Sequence, residues 1–321
     1  MVRLRVQALA LNLMFCTPLA SAQLGGTLAG SLAAPDLTDL KPMGKLLTGP
    51  DGATIALTTR GTAPATLYLE SAAVSLPTTD GLRAGTLLSA LTGEDFTLGL
   101  ADYLKHPEVL AALPAGTSVV ADSFDLNLKA VGKGLRMTVA LHQTSGFAAV
   151  PANRILGNPA APYAVRMYSD FQCPYCQKAE LEAMPAVIKS LPGDVRFEFH
   201  QLPLEQLHPN ARAAAEASVC VAGQGKFFAF KDALFRRNDW QQAANPTAIF
   251  QQVAQGTGVN LARYRSCVAD RAGKAEVDAG LAEAQRIGVR GTPTVFIGGY
   301  QVADPYDAAS YQSLLDFVRA K

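Results

Sequence analysis

Cys173 and Cys176 enclose Pro174 and Tyr175, and this Cys-Pro-Tyr-Cys spacing holds the most legible chemistry in the chain. An apolar run, Tyr163 to Tyr168, leads into it, and helix-forming sequence follows from Gln177. A strand that delivers two thiols to the start of a helix sets them against unpaired N–H groups and the positive end of the helix dipole, which favour thiolate over thiol. Pro174 fits the first helical position, where a missing N–H costs nothing. The pair is therefore read as a redox centre. Structural zinc is the main competing use of Cys-x-x-Cys and needs two further ligands at similar local spacing. Cys220 and Cys267 each stand alone, and His106, His142, His200 and His208 form no compact pair with them; no metal site is expected. Gln177 follows Cys176 where haem attachment would need histidine. An inert pair is the remaining alternative.

The elements that would position the pair lie in the second half of the chain. Val195 to His200 alternates apolar and polar residues, as a half-buried strand does. The helix after the motif should run from Gln177 to Ser190 and bend at Pro185. Alanine-rich stretches such as Ala211–Val221, Leu261–Asp270 and Leu281–Ile287 predict a helical block over about 205–290. Thr294–Ile297 and Tyr300–Val302, joined by Gly298-Gly299, read as a hairpin. A last helix, Asp307 to Ala320, should pack through Tyr311, Leu314, Leu315 and Val318.

Ahead of this, residues 151–162 are rich in proline and glycine and read as a linker. Residues 23–150 form a small α+β domain, with strands at Thr54–Thr59, Ala65–Glu70 and Arg136–Leu141 and short helical pieces between Leu100 and Leu113; no chemistry stands out in it. Two domains suit 321 residues that are 49% hydrophobic. Arg3 and Arg5, the apolar stretch Val6–Leu19 and the small residues Ala20-Ser21-Ala22 make residues 1–22 a secretory signal, with an uncleaved anchor as the alternative. Cys16 would leave with that signal, since Met14 and Phe15 are too bulky for a lipoprotein cleavage site. Losing Arg3 and Arg5 brings 28 basic residues to 26 against 27 acidic ones, a net charge of −1. No electrostatic footprint for nucleic acid or an anionic membrane follows from that balance.

Ser169-Asp170-Phe171-Gln172-Cys173-Pro174-Tyr175-Cys176 and Gly291-Thr292-Pro293-Thr294, separated by the helical block, resemble the DsbA family of thioredoxin-fold proteins. The resemblance covers Pro159 to Lys321, about half of the chain. It implies an α/β thioredoxin fold with an inserted helical subdomain, here preceded by the small α+β domain. It also implies that Cys173 is the exposed nucleophile, that Cys176 lies further inside, and that the bond before Pro293 is cis. Thr292 and Pro293 would then receive an extended substrate peptide, and no cofactor beyond the redox-active disulfide is called for. Pro174 and Tyr175 would tune the couple. Glu180 matches a position often acidic in the family and would shuttle the proton of Cys176, or else be a solvated helix charge. Met167 stands where many members carry a buried acid, and Asp170 is not assumed to replace it.

The chemistry implied is thiol–disulfide exchange through a mixed disulfide. The first reading is a disulfide-forming oxidase in the periplasm or another extracytoplasmic space, acting on exported, unfolded or partly folded proteins and re-oxidised by a membrane protein. The second is an isomerase or reductase kept reduced, with a homodimer built through the N-terminal domain. The third is a chaperone or binding module with a vestigial pair. In an oxidising compartment Cys220 and Cys267 are expected to form a structural bridge, the alternatives being a second redox relay or two buried thiols. Trp240 is read as a packing residue, and the histidines as surface or satisfied polar groups.

Overall fold

The computed structural model describes residues 24–28, 32, 37, 39–43, 46–62 and 67–320. The expected signal at 1–22 and the start of the strand expected over 65–70 lie outside the described residues.

The first half alternates apolar and small or polar residues along its strands, so one face of each strand is buried and the other faces solvent. Strands β1 (Lys41–Met43), β2 (Leu46–Thr48), β3 (Thr54–Arg60) and β4 (Tyr68–Leu76) are followed by helices α1 (Gly81–Thr92), α2 (Thr97–Tyr103) and α3 (Pro107–Ala112). Strands β5 (Thr117–Ala121), β6 (Phe124–Val131) and β7 (Gly134–Leu141) complete a seven-stranded antiparallel sheet, ordered β1-β2-β3-β4-β7-β6-β5. Ile55, Val74, Leu126, Leu128, Met137 and Val139 are buried in one core with Leu87, Leu88 and Leu91 of α1. Asp80 caps α1 by accepting from the Leu82 and Arg83 N–H groups. At Gly85 a Cβ would fall 2.6 Å from Thr97 Cα, so α1 and α2 touch through their backbones.

The second half builds a five-stranded sheet ordered β12-β11-β9-β10-β8. Its strands are β8 (Ile155–Leu156), β9 (Tyr163–Ser169), β10 (Val195–Gln201), β11 (Thr294–Ile297) and β12 (Tyr300–Gln301). Helices α4 (Pro174–Glu182) and α5 (Met184–Lys189) cross from β9 to its parallel neighbour β10; the other pairings are antiparallel. The expected bend in this crossover is a break at Ala183, and Pro185 sits in the first turn of α5, where its missing N–H is tolerated. Helices α6 (Ala211–Ala222), α7 (Phe227–Phe235), α8 (Thr247–Gly256), α9 (Leu261–Ala269) and α10 (Lys274–Ile287) lie between β10 and β11, and α11 (Ala308–Arg319) closes the domain. On α11, Phe317 rather than Val318 is fully buried beside Tyr311, Leu314 and Leu315.

Two readings need correction. The stretch 151–162 is not a free tether: β8 within it pairs Leu156 with Phe197 and Ile155 with Glu198 at the edge of the sheet. And β10 is buried on both faces, not on one. Phe197 and Phe199 meet Phe228 and Phe227 of α7. On the opposite face His200 lies between Glu198 (3.4 Å) and Glu283 of α10 (3.3 Å). Burial opposes charge on Glu198, but His200, Arg166 and Arg196 outweigh it and hold the carboxyl below its ordinary range. A period-two pattern thus records a buried ion network here.

The domains meet at the far end of the β11–β12 hairpin. Arg60 donates to the Tyr300 hydroxyl (3.4 Å) and lies 4.6 Å above the Phe317 ring, while Tyr68 meets Phe317 edge-on. The Thr144 N–H donates to the Gly299 carbonyl (2.8 Å), and Gln143 to that of Gly298 (2.9 Å). Register places Thr294 beside Tyr168 and Ile297 beside Val165. The Gly298-Gly299 turn is therefore at the end of the sheet opposite the one where β9 releases the chain toward Cys173.

Candidate active site

Strand β9 ends at Ser169, and four residues later Cys173 stands as the N-cap of α4 with Pro174 in its first turn. Phe171 anchors the connection. It stacks on Phe235 at 5.2 Å and meets Phe199 at 5.5 Å, so the motif is bolted to the inserted helices. Gln172 accepts from the Asn210 N–H (2.7 Å) and donates to the Gln241 carbonyl (2.7 Å). Gln177 donates to the Phe235 carbonyl (2.5 Å) and to Asn238 (2.7 Å).

Asp170 is fully buried. Its carboxylate accepts from the Gln172 N–H (2.7 Å), the Leu204 N–H (2.8 Å) and His208 Nδ1 (2.7 Å). Its own N–H donates to Cys176 Sγ at 3.4 Å. Asp170 therefore ties the turn before the motif to the loop after β10. No local pattern in the sequence announces this group, because His208 lies 38 residues away.

Both motif cysteines are free thiols. Cys173 Sγ lies 3.4 Å from the Thr292 carbonyl oxygen, to which it donates while protonated, and the Thr292–Pro293 bond is cis. The neighbouring Cys176 thiol is the strongest influence on Cys173. With the Thr292 hydroxyl and the Tyr175 and Cys176 N–H groups it outweighs burial and brings the pKa down to about 6. Burial pushes Cys176 the other way, well above the ordinary thiol range, and the neighbouring Cys173 sulfur adds to this. One pair thus contains a thiolate at neutral pH and a thiol that holds its proton.

The structure brings Cys173, Cys176, Thr292 and Pro293 together, with Pro174 and Tyr175 exposed at the rim. The expectation that Cys173 is exposed is corrected: the residue is only 3% accessible, its sulfur lying under the Thr292–Pro293 loop. Glu180 is not a solvated helix charge either. It is buried one helical turn below Cys176, on the same face of α4, and its Oε2 pairs with the buried Lys231 ammonium of α7. Burial pushes the Glu180 carboxyl up, Lys231 opposing it, and Oε1 is buried without a partner. Met167 is buried in the apolar core. Trp240 packs edge-on against Phe250 from a turn outside the helices. Cys220 and Cys267 are bonded to each other, joining α6 to α9 away from the motif. Among the described residues no three His, Cys, Asp or Glu side chains gather as a metal site, and no helix is long and apolar enough to cross a membrane.

A sequence model of the family described as Thioredoxin matches residues 149–317, just over half of the chain. The chain belongs to the thioredoxin family. Its thioredoxin domain carries α6 to α10 as the inserted helical subdomain and follows an α+β domain with a sheet of its own. Its two thiols, one at the N-terminus of α4 beside the cis Thr292–Pro293 bond and one buried behind it, form an arrangement capable of thiol–disulfide exchange. Curated relatives include the Na(+)/H(+) antiporter NhaA 3 of Salinispora tropica, 35% identical over 157 residues, which are 48% of this chain and 23% of that protein. NhaA 1 of Mycobacterium sp. (strain KMS) is 32% identical over 165 residues, 49% of this chain and 25% of that protein. The chain thus spans about a quarter of the length of these relatives, and the transport name is theirs.

Similar solved structures include oxidised BdbD from Bacillus subtilis, with a TM-score of 0.49 and 21% identity over 55% of this chain and 98% of that one. A thioredoxin-like oxidoreductase from Silicibacter pomeroyi gives 0.46 and 26% over 53% and 94%. MdbA, a thiol-disulfide oxidoreductase from Corynebacterium diphtheriae, gives 0.44 and 18% over 50% and 90%.

Proposed function

We propose that this chain is an extracytoplasmic disulfide-forming oxidase of the DsbA type, acting on exported proteins that are unfolded or partly folded. The observation that carries this reading is the geometry of the dithiol, Cys173 as the N-cap of α4 against the cis Thr292–Pro293 loop with Cys176 fully buried behind it, and the opposite pKa directions of the two sulfurs accord with it. A substrate thiolate attacks Cys173 Sγ of the oxidised pair, forming a mixed disulfide and breaking the Cys173–Cys176 bond. Cys176 departs with the electron pair and takes a proton, which Glu180, one turn below, is placed to relay. A second substrate thiolate attacks the substrate's own sulfur in the mixed disulfide, and Cys173 leaves as a stable thiolate. The substrate gains a disulfide and loses two electrons; the protein is left as the dithiol. A membrane protein that accepts these electrons is the partner the cycle requires.

A low leaving-group pKa stabilises the reduced protein and makes the couple oxidising. The isomerase reading asks the N-terminal domain to wall a cleft over the dithiol. Within one chain that domain contacts the opposite end of the sheet, so such a cleft would need a second copy. A glutathione titration of the Cys173–Cys176 couple is the test. A potential above about −180 mV is the expected result, and one near about −270 mV, with the pair predominantly dithiol in cells, would remove the oxidase role.

A further inference from the structure

Cys176 Sγ is the sulfur that must carry charge for a moment during exchange, yet it lies in the core, away from solvent. Burial, and then the neighbouring Cys173, push its thiol up. Two groups oppose them: the Asp170 N–H, 3.4 Å from the sulfur, and the Ser169 hydroxyl. Ser169 is fully buried at the end of β9, and in the dithiol its Oγ makes no hydrogen bond among the described residues. A buried hydroxyl ordinarily has a partner. One left over beside a sulfur that ionises only in passing is free for that moment.

Both groups stand on fixed backbone. Ser169 pairs with Gln201 in the sheet, and its carbonyl accepts from the Leu202 N–H (3.0 Å). The Asp170 carbonyl accepts from the Cys173 N–H (3.2 Å), so the main chain of this one residue touches both motif cysteines. Its carboxylate is latched from outside by the Leu204 N–H and by His208 Nδ1, at 2.8 and 2.7 Å. Donors placed in this way before any substrate arrives, and aimed where charge develops, lower a barrier without reorganising.

We propose that the Ser169 hydroxyl and the Asp170 N–H form a two-donor pocket for the departing Cys176 thiolate, with His208 a positioning residue that acts through the Asp170 carboxylate. The pocket rests on the exchange chemistry of the pair, not on its direction as an oxidase. A substrate thiolate attacks Cys173 Sγ, and the new sulfur–sulfur bond forms as the Cys173–Cys176 bond breaks. The electron pair of the broken bond goes to Cys176 Sγ, where both donors meet it until the sulfur takes a proton. Hydrogen bonds to an ionised acceptor are roughly twice as strong as those to a neutral one, so the pocket favours the transition state over either resting form. At neutral pH Cys176 of the reduced protein holds its proton. The pocket therefore speeds opening and re-closing alike and leaves the potential of the couple where it is.

The test opens the full oxidised chain with reduced glutathione at neutral pH and follows the mixed disulfide by acid quenching and mass spectrometry. Ser169→Ala should slow opening about tenfold, less than the ~100-fold or more lost with an oxyanion donor, because sulfur accepts weaker bonds. The same variant should keep the wild-type urea midpoint or exceed it, since the hydroxyl it removes bonds to nothing in the resting dithiol. His208→Ala should slow opening about threefold, and His208→Asn, whose amide nitrogen takes the place of Nδ1, should restore the rate. In all three the potential and the pH midpoint of Cys173 alkylation should stay at their wild-type values. Opening in Ser169→Ala as fast as in the wild type would overturn the pocket. No slowing by His208→Ala, or equal slowing by His208→Asn, would overturn the latch. Slowing that comes with a shifted potential or Cys173 midpoint would mean that the whole site had loosened, and would overturn both. A wild-type chain that glutathione does not open would instead remove the exchange reading itself, and the pocket with it.

Discussion

Cys173 and Cys176 are three positions apart and respond to opposite influences, so their protons are lost over well-separated pH ranges. For the reduced protein the sign is fixed by the depressed pKa of Cys173. The stabilisation its thiolate gives the folded dithiol is complete above the ordinary thiol range, near 9, and is lost as pH falls through about 6. Below that point reduction takes up two protons per two electrons, and above it only Cys176 is protonated. The reduction potential should therefore fall by about 59 mV per pH unit below pH 6 and by about 30 mV per unit above it. Iodoacetamide alkylation of the dithiol should show a midpoint near the same pH; a midpoint near 9 would contradict the site electrostatics. The roles of the sulfurs give a second expectation. Cys176→Ser should accumulate mixed disulfides with disulfide-bearing substrates, because the Cys173 thiolate attacks the substrate disulfide, one substrate sulfur leaves as a thiolate, and no Cys176 thiol remains to resolve the bridge, whereas Cys173→Ser should accumulate none. Gels run without reductant separate the two outcomes, and equal trapping by both variants would reverse or erase the assignment.

Helices and strands explain why these residues stay in place, and here buried charge is the sensitive point. Lys231 on α7 is surrounded by core, yet the Glu180 and Asp232 carboxylates hold its ammonium above the usual range against the pull of burial. Lys231→Met would leave Glu180 without its counter-charge and should cost about 3–5 kcal/mol in urea unfolding. The double variant Glu180→Leu with Lys231→Met should recover much of that loss, since replacing a buried pair by apolar residues is often neutral. The bridge between α6 and α9 closes a separation of 47 residues. Replacing both of its cysteines by alanine should remove about 4 kcal/mol and leave the potential of the Cys173–Cys176 couple unchanged. Much of this framework was legible from local pattern: Pro174 opening α4, the Gly298-Gly299 turn, the alanine-rich helices of the insertion and the spacing of Tyr311, Leu314 and Leu315. What escaped is non-local. Alternation along β10 looks the same whether Glu198 and His200 meet water or the Glu283 carboxylate of a distant helix. Likewise Asp170 and Lys231 become site-supporting groups only once His208 and Glu180 arrive from other elements. Strand β8 was hidden because two residues inside a proline- and glycine-rich stretch carry no periodicity at all.

How the two domains meet bears on what the dithiol can reach. Arg60 sits at that junction, donating through Nε (3.1 Å) and Nη2 (2.5 Å) to Glu70 of its own domain while its guanidinium covers the Phe317 ring of the thioredoxin domain at 4.6 Å. A planar cation over an aromatic face contributes about 0.5–2 kcal/mol depending on its desolvation, and Arg60 is only partly exposed. Removing it loses that contact, the bond to Tyr300 and a wall of the Phe317 environment, while every group around Cys173 lies at the other end of β9 and β11. Arg60→Ala should therefore loosen the junction, read as faster proteolytic cleavage within 142–150 and a separation of the two unfolding transitions. The pH midpoint for Cys173 alkylation should stay near 6, because the groups that set it, Cys176 and Thr292 foremost, belong to the thioredoxin domain alone. A shift of that midpoint on loosening the junction would mean that the N-terminal domain acts on the dithiol through the sheet, and the isomerase-like use of that domain would then gain the advantage over the oxidase.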